Sequence, residues 1–247
     1  MSTRVIILAA GQGKRMGAEV PKPLVEIAGQ PMIEHLLDSI RDSEVDERPI
    51  IVVAPDTVET FNEVCRDRLC EYAVQEEQLG TGHAVMAAKE VAQGADNVIV
   101  LYGDHPFISA EVIQKLEELH KENGVISMIT AKVPNFKKDY SVFSRWGRIV
   151  RDDHGHLQQI KEAKDATEEE LEIREVNPAL YMFDAEWLWE HLPELKNKNA
   201  SGEYYLTDLI AMAIDEGSDV MTASADPFEV IGINTQEELQ VAEKLNG

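Results

Sequence analysis

Three short segments carry residue types that could act together. The first reads Leu8-Ala9-Ala10-Gly11-Gln-Gly13-Lys14-Arg15-Met-Gly17. Glycines at 11 and 13 let backbone N–H groups turn towards an anion without a Cβ in the way. Lys14, Arg15 and the nearby Lys22 add positive charge. A triphosphate with Mg2+ is the natural guest of such a loop. The second segment is Gln75-Glu-Glu-Gln-Leu-Gly80-Thr81-Gly-His83-Ala84. Gln75 and the backbone at Gly80 and Thr81 suit the reading of a neutral base edge, where a wrong base leaves buried polar groups unpaired. The third is Val98-Ile-Val-Leu-Tyr102-Gly103-Asp104, an apolar run that ends in a carboxylate. Mg2+ keeps most of its waters and takes one or two protein oxygens, which makes Asp104 a metal-ligand candidate.

Each segment also has a plainer reading. The first loop is not the dinucleotide fingerprint, because its third glycine comes one residue late, and the P-loop pattern is absent. By itself it fits an ordinary glycine-rich turn as well as an anion cradle. Thr81 could simply cap a helix with His83 packed behind it. Asp104 as a helix cap is less attractive, because Ser109 already fills that role.

These residues need elements to hold them. Val5–Ala10, Pro49–Ala54 and Asn97–Leu101 read as strands buried on both faces, short, continuous and rich in β-branched residues. Glu71–Gln75 and Val125–Lys132 read as further strands. Helices are expected over Pro31–Ile40, Val58–Leu69, Thr81–Val91 and Ala110–Lys121. Alternation of this kind gives an α/β fold: a three-layer α/β/α, Rossmann-like, mostly parallel mixed sheet. Its ligands belong at the carboxyl ends of the strands, where the first loop sits. Further on, Trp146–Arg151, Leu157–Lys161, Val176–Phe183 and Val230–Ile233 read as strands, with a turn at 153–155. Glu203–Glu216 reads as a helix. Thr235 with Glu238 reads as a capping box for a last helix. The acidic stretch Lys164–Glu175 reads as a mobile loop, and Trp187 and Trp189 as packing or surface residues. The chain reads as a single domain over 1–247, with residues 1–132 as its nucleotide half and 133–247 as its sugar half.

Composition narrows the partners. Among 247 residues, Asp plus Glu number 46 against 23 Lys plus Arg, a formal charge of −23. Nucleic acids and anionic membranes require a basic surface, so neither is expected. Cys65 and Cys70 fit no zinc spacing and read as reduced thiols. No leader is evident, and the apolar run at Val5–Ala10 is far too short to span a membrane, so a cytoplasmic location is expected. Homo-oligomerisation stays open.

The three segments, in their order, resemble the nucleotidyltransferases that make nucleotide sugars. Leu8-Ala-Ala-Gly-x-Gly-x-Arg-Met followed by Pro21-Lys22-Pro-Leu24 is similar to that family's signature. The resemblance implies that Leu8, Ala9, Ala10, Gly11 and Gly13 wrap the triphosphate. It implies that Arg15 stabilises departing pyrophosphate and that Lys22 contacts phosphate oxygens. Gln75–Ala84 resembles the uridine-reading segment of N-acetylglucosamine-1-phosphate uridylyltransferases, the pyrophosphorylase half of a bifunctional uridylyltransferase/acetyltransferase. Gln75, Gly80 and Thr81 would then hold uracil, and His83 would be structural. The Tyr-Gly-Asp of the family matches unchanged, with Tyr102 and Gly103 on the sugar side and Asp104 on the metal. Trp146-Gly147-Arg-Ile and Glu162-Ala-Lys-Asp-Ala-Thr167 resemble sugar-contacting segments, implying roles for Gly147 and Glu162. Asn177 stands in the family's Asn-Thr-Gly, but Pro178 and Ala179 replace its last two residues. Gly232-Ile-Asn234-Thr carries the implied second Mg2+ ligand, Asn234.

The activity so implied is Mg2+-dependent uridylyl transfer from UTP to a sugar 1-phosphate, most simply N-acetylglucosamine 1-phosphate. The alternatives are another sugar or base (glucose-1-phosphate uridylyl- or thymidylyl-, mannose-1-phosphate guanylyltransferase) or a catalytically silent nucleotide-sugar sensor. A cytidylyltransferase for a non-sugar phosphate is disfavoured by the sugar-side segments. No hexapeptide repeat is present, so acetyl transfer is not expected.

Overall fold

The computed structural model describes residues 1–11, 20–121, 124–199 and 201–246. Gly13, Lys14 and Arg15 lie outside the described residues.

The elements follow in chain order. Strand β1 (Thr3–Leu8) leads, by way of a 3-10 turn at Lys22–Leu24, to a small antiparallel ladder of β2 (Glu26–Ile27) and β3 (Gln30–Pro31). Helix α1 (Met32–Ser43), β4 (Ile50–Val53), α2 (Val58–Val64), β5 (Glu71–Val74), α3 (Thr81–Ala87) and β6 (Asn97–Tyr102) alternate after it. Next come α4 (Ala110–His120), β7 (Ile126–Lys132) and the hairpin of β8 (Gly147–Arg151) and β9 (Leu157–Lys161). Helix α5 (Glu168–Leu171), β10 (Glu175–Asp184), α6 (Ala185–His191), α7 (Asp208–Asp215), β11 (Val220–Ala225) and α8 (Gln236–Asn246) complete the chain.

The main sheet runs β11-β7-β10-β6-β1-β4-β5, with the β8–β9 hairpin branching from β10. β1 pairs in parallel with β4 and β6, β4 with β5, and β7 with β11; β10 is antiparallel to β6, β7 and β8. Strand alternation divides the core into two layers. Val5, Ile7, Ile51, Val53, Ile99 and Leu101 face one layer, with Leu36 and Ile40 of α1, Phe61 of α2 and Leu116 of α4. Ile6, Ile50, Val52, Val98 and Val100 face the other, with Ala84 and Val85 of α3, Leu188 of α6 and Leu209 of α7. Covering both faces requires the continuous apolar runs seen in β1, β4 and β6. The expected mostly parallel mixed sheet with helices on both faces is therefore present. β10, from the second half of the chain, lies between β6 and β7 of the first, so both halves share one sheet.

Several expectations need correction. Val230–Ile233 is buried but is not a strand; its Ile233 N–H donates to the Asp104 carbonyl at 2.9 Å. The helix expected from Glu203 starts only at Asp208, because the preceding backbone bonds to the 79–82 segment instead. Helix α2 ends at Val64 and α3 at Ala87, both short of expectation. Lys164–Glu175 is not simply a loop. Thr167 accepts from the Glu170 N–H while Glu170 Oε2 accepts from the Thr167 N–H, a capping box that opens α5. Strand β11 was not expected, and neither was the 3-10 stretch Lys138–Arg145.

Candidate active site

Chain order reverses at β1: β4 and β5 extend from one side of it, β6 from the other. Open α/β sheets take ligands at such a switch point, outside the carboxyl ends of the strands. Leu8 and Tyr102, the last residues of β1 and β6, are cross-strand partners there. Two clefts meet above them. One, of about 190 Å3, is bounded by Leu8, Ala9, Ala10, Gly11, Lys22, Gln75, Gly80, Thr81, Tyr102 and Asp104. The other, of about 340 Å3, is bounded by Tyr102, Asp104, Gly147, Glu162, Asn177 and Asn234 together with Thr81. Thr81, Tyr102 and Asp104 belong to both, so the clefts are continuous.

At the junction three side chains converge from distant parts of the chain. Pro21 and Pro23 bracket Lys22 in its 3-10 turn, with Pro23 and Leu24 buried as its anchor. Lys22 Nζ contacts Asp104 Oδ2 and donates to Asn234 Oδ1 at 2.8 Å. The bond from Ile233 N–H to the Asp104 carbonyl brings Asn234 beside Asp104. Beyond it, Glu238 Oε2 accepts from the Asn234 N–H at 2.5 Å, and Thr235 Oγ1 accepts from the Glu238 N–H at 3.2 Å. The capping box read at Thr235 is thus displaced by one residue on its return arm. Burial alone would raise the Asp104 carboxyl, but the Lys22 ammonium, the neighbouring His105 and a backbone hydrogen bond together hold Asp104 below the usual carboxylate range.

The base-side cleft rests on Gln75, which is 3% exposed. Its amide nitrogen donates to the Gly80 carbonyl at 3.2 Å and lies 3.1 Å from His83 Nδ1. In the tautomer that leaves Nδ1 as acceptor, both amide hydrogens are used and Oε1 is the remaining acceptor. Gly80 sits at φ 111, and Tyr204 folds over it. The Tyr204 N–H donates to Leu79 O at 2.7 Å, the Gly82 N–H to Tyr204 O at 2.8 Å, and the Leu206 N–H to Thr81 Oγ1 at 3.0 Å. This clamp from residues 204–206 was not legible in the sequence.

On the sugar side, Gly147 and Asn177 are partners in the β8–β10 pair. The register slips between Val176 and Leu180, a bulge that admits Pro178 with its missing N–H. Ala179 sits at φ 63, the left-handed region where the family pattern has glycine. Its N–H donates to Asn177 Oδ1 at 2.9 Å, and the Asn177 amide donates to Tyr181 Oη at 2.8 Å. Burial pushes the Glu162 carboxyl up; Lys164 offsets this, and Asp165 and Asp208 add to it. Burial likewise pushes the Tyr102 phenol up. Gly103 lies between Tyr102 and Asp104. It is buried, its N–H donates to Leu8 O at 3.0 Å, and Pro23 fills the space a Cβ would take. Arg145, Lys164, Tyr205 and Thr207 also border this cleft without having been singled out.

Comparison with known proteins fits this geometry. A family model described as "MobA-like NTP transferase domain" matches residues 5–207. The chain is 41% identical over 241 residues to the bifunctional protein GlmU of Caldicellulosiruptor saccharolyticus, covering 97% of this chain and 50% of that one. The GlmU proteins of Heliobacterium modesticaldum (42% over 240 residues; 96% and 50%) and Clostridium novyi (36% over 246 residues; 99% and 52%) are similar to it as well. The chain thus spans about half the length of these curated relatives. In fold it is similar to a Bacillus anthracis structure with the provisional name glucose-1-phosphate thymidylyltransferase, solved in complex with sucrose. The TM-score is 0.78 at 19% identity, covering 99% of this chain and 95% of that one. On the match over residues 5–207, the chain belongs to the MobA-like NTP transferase family.

Proposed function

We propose that this protein transfers a uridylyl group from UTP to a sugar 1-phosphate, N-acetylglucosamine 1-phosphate being the acceptor, with Mg2+ as cofactor and pyrophosphate as the second product. The observation that carries this reading is the meeting of Lys22, Asp104 and Asn234 where a base-sized cleft joins a hydroxyl-binding one. The names of the GlmU relatives support the choice of activity.

Asp104 and Asn234 offer a carboxylate and an amide oxygen, the hard donors that Mg2+ takes. The Lys22 ammonium contacts both oxygens, so the pair accommodates positive charge. Among the described residues no three His, Cys, Asp or Glu side chains cluster to hold a metal. A two-oxygen site completed by water and phosphate oxygens suits Mg2+ best. Bound there, the ion would supply charge neutralisation to the phosphates of both substrates.

The remaining chemistry is positioning and electrostatics. An anionic phosphate oxygen of the sugar 1-phosphate attacks the α-phosphorus of UTP in line. The bond from that phosphorus to the bridging oxygen breaks, and pyrophosphate leaves with the electron pair. The nucleophile is already ionised, so no general base is needed. Lys22 offsets phosphate charge at the junction, and Arg15 acts on the leaving pyrophosphate. Leu8 to Gly13 cradle the triphosphate. Gln75 Oε1 accepts the N3–H of uracil. Cytosine presents a lone pair at that atom, and facing it would cost about 1–3 kcal/mol for the unpaired buried acceptor. Gly147, Glu162, Asn177 and Tyr102 hold the sugar. Because nucleoside triphosphates are cytoplasmic metabolites, the same reading assigns the protein to the cytoplasm.

The test is pyrophosphate release by the purified protein across UTP, CTP, dTTP and GTP and across N-acetylglucosamine, glucose and mannose 1-phosphates, with Mg2+ or with EDTA. The reading expects UTP with N-acetylglucosamine 1-phosphate to be fastest and EDTA to abolish turnover. Faster turnover of dTTP or of another sugar would replace the substrate assignment. Nucleotide binding without product under every condition would favour a sensor.

A further inference from the structure

Arg148 has no part in the reaction described above, yet it is buried, at 1% exposure, directly after Gly147 in β8. Its guanidinium makes no ion pair among the described residues. It bonds to three backbone carbonyls instead. Nη1 donates to the Trp146 carbonyl, Nη2 to the Ser144 carbonyl at 3.0 Å and Nε to the Leu171 carbonyl at 3.3 Å. The Phe136 ring lies against the group, with its centroid 4.4 Å from Cζ.

A buried charge without a counter-ion is costly, and an apolar side chain of similar volume avoids that cost. Packing alone therefore does not account for arginine at this position. The three acceptors do. Ser144 and Trp146 lie where the 3-10 stretch Lys138–Arg145 runs into β8, and there Arg145, Trp146 and Gly147 border the larger cleft. Leu171 is the last residue of α5, which closes the segment that begins with Glu162 and Lys164 on the same cleft. One planar fork joins both stretches of chain. A lysine ammonium is a point charge on a flexible stem and does not reproduce donors in three fixed directions. A peptide unit is planar and trans, so holding the Trp146 carbonyl also fixes the direction of the Gly147 N–H. None of the three carbonyls belongs to a residue that bounds the base-side cleft.

We propose that Arg148 is a positioning residue for the acceptor: its buried guanidinium ties the 144–147 turn to the 162–171 segment and so sets the shape of the sugar cleft, leaving the base-side cleft unaffected. The inference rests on the reading of the larger cleft as the sugar site. It explains why a guanidinium stands in the interior with carbonyls as its only hydrogen-bond partners among the described residues.

Arg148→Lys keeps a positive charge and loses the fork. Phe136→Leu keeps the fork and removes the ring against it. Both are assayed with whichever sugar 1-phosphate the parent turns over. A misplacement of about 1 Å in a positioning element costs about 100-fold. Arg148→Lys should therefore raise KM for the sugar 1-phosphate by up to about 100-fold, with KM for UTP unchanged. UTP should raise its melting temperature by as much as it raises that of the parent, a readout independent of turnover. Phe136→Leu should raise the acceptor KM by about 2- to 5-fold, in keeping with one lost cation–π contact. Loss of donors to buried carbonyls lowers the melting temperature of Arg148→Lys in any case, so the split between the two substrates is what decides. A parental acceptor KM in folded Arg148→Lys overturns the proposal. So does an equal rise in both KM values, which would assign Arg148 to stability. If Arg148→Lys shows no folded state, Phe136→Leu decides by the same split, and a parental acceptor KM there overturns the proposal. If the parent itself transfers no nucleotidyl group, the reading of function fails and this proposal with it. Failure of the variants alone, in an active parent, is specific to Arg148.

Discussion

Gly80 and Gly11 both line the base-side cleft, yet substitution by alanine should affect them in different ways. At Gly80 the backbone is at φ 111 and ψ 177, a region almost closed to residues with a Cβ. A Cβ there would lie 2.6 Å from the Tyr204 carbonyl oxygen, 2.8 Å from its nitrogen and 2.9 Å from Glu203 Cβ. All three contacts are on the 203–204 strap that hydrogen-bonds to Leu79 and Gly82. Holding an alanine at that dihedral costs about 1–3 kcal/mol. Displacing the strap adds the loss of two backbone hydrogen bonds at about 0.5–1.5 kcal/mol each. Gly80→Ala should therefore lose about 2–6 kcal/mol in a urea titration, and the Gln75–Gly80 bond that orients the base-reading amide should go with it. At Gly11 a Cβ would meet no atom of the described residues within 4 Å, and φ is not positive. Gly11→Ala should leave stability within about 0.5 kcal/mol. Its methyl group would instead stand where the phosphates approach the backbone, so calorimetric UTP binding should weaken. Full stability in Gly80→Ala, or an equal loss of stability in both variants, would refute the reasoning.

Other consequences are simpler to state. Ala179 is in the left-handed region at φ 63, a conformation that costs an L-residue about 1–2 kcal/mol. Ala179→Gly should raise stability by up to about 1 kcal/mol after the added chain entropy of glycine; a melting temperature that falls would contradict this. His191 offers a pH effect: burial would lower its pKa, but bonds to the Trp187 carbonyl at 2.8 Å and to Glu216 at 2.8 Å raise it above the ordinary histidine value. With the folded pKa raised, this contact stabilises fully below the unfolded value near 6.5 and is lost as pH rises through the folded value. Trp187 stacks on that ring at 4.2 Å, so its fluorescence should titrate in the same window, and His191→Gln should remove the step. A pH-independent signal in the parent would count against the charged pair.

The layout was legible wherever one physical demand dominated. β1, β4 and β6 are buried on both faces, and their apolar runs say so. Ser109 caps α4 as read, accepting from the Val112 N–H. β11 was hidden because Val220–Ala225 lies at the sheet edge, half-buried and without alternation. Val230–Ile233 misled for the opposite reason: it is apolar because it is buried, but its backbone partner is the turn after β6. For the site, motif matching reached most of the residues that gather around the two clefts. It did not reach the contacts among them. Lys22 is 82 residues from Asp104 and 212 from Asn234, and no spacing rule encodes that convergence. Nor did it reach the bond from the Gly103 N–H to the Leu8 carbonyl, which joins the ends of β6 and β1. The three carbonyls gathered by Arg148 depend wholly on the folded surroundings.

The most direct test of the account is single-turnover uridylyl transfer by Asp104→Asn beside the parent, at saturating UTP and N-acetylglucosamine 1-phosphate over a wide Mg2+ range. Asparagine keeps the shape of the side chain and removes its charge. The account predicts that the parent forms UDP-sugar and pyrophosphate. It predicts that the variant is slower by about 100-fold or more at every Mg2+ concentration, in keeping with the loss of a group that stabilises transition-state charge, while remaining folded. Equal rates at saturating Mg2+ would contradict the central role given to the junction of Lys22, Asp104 and Asn234.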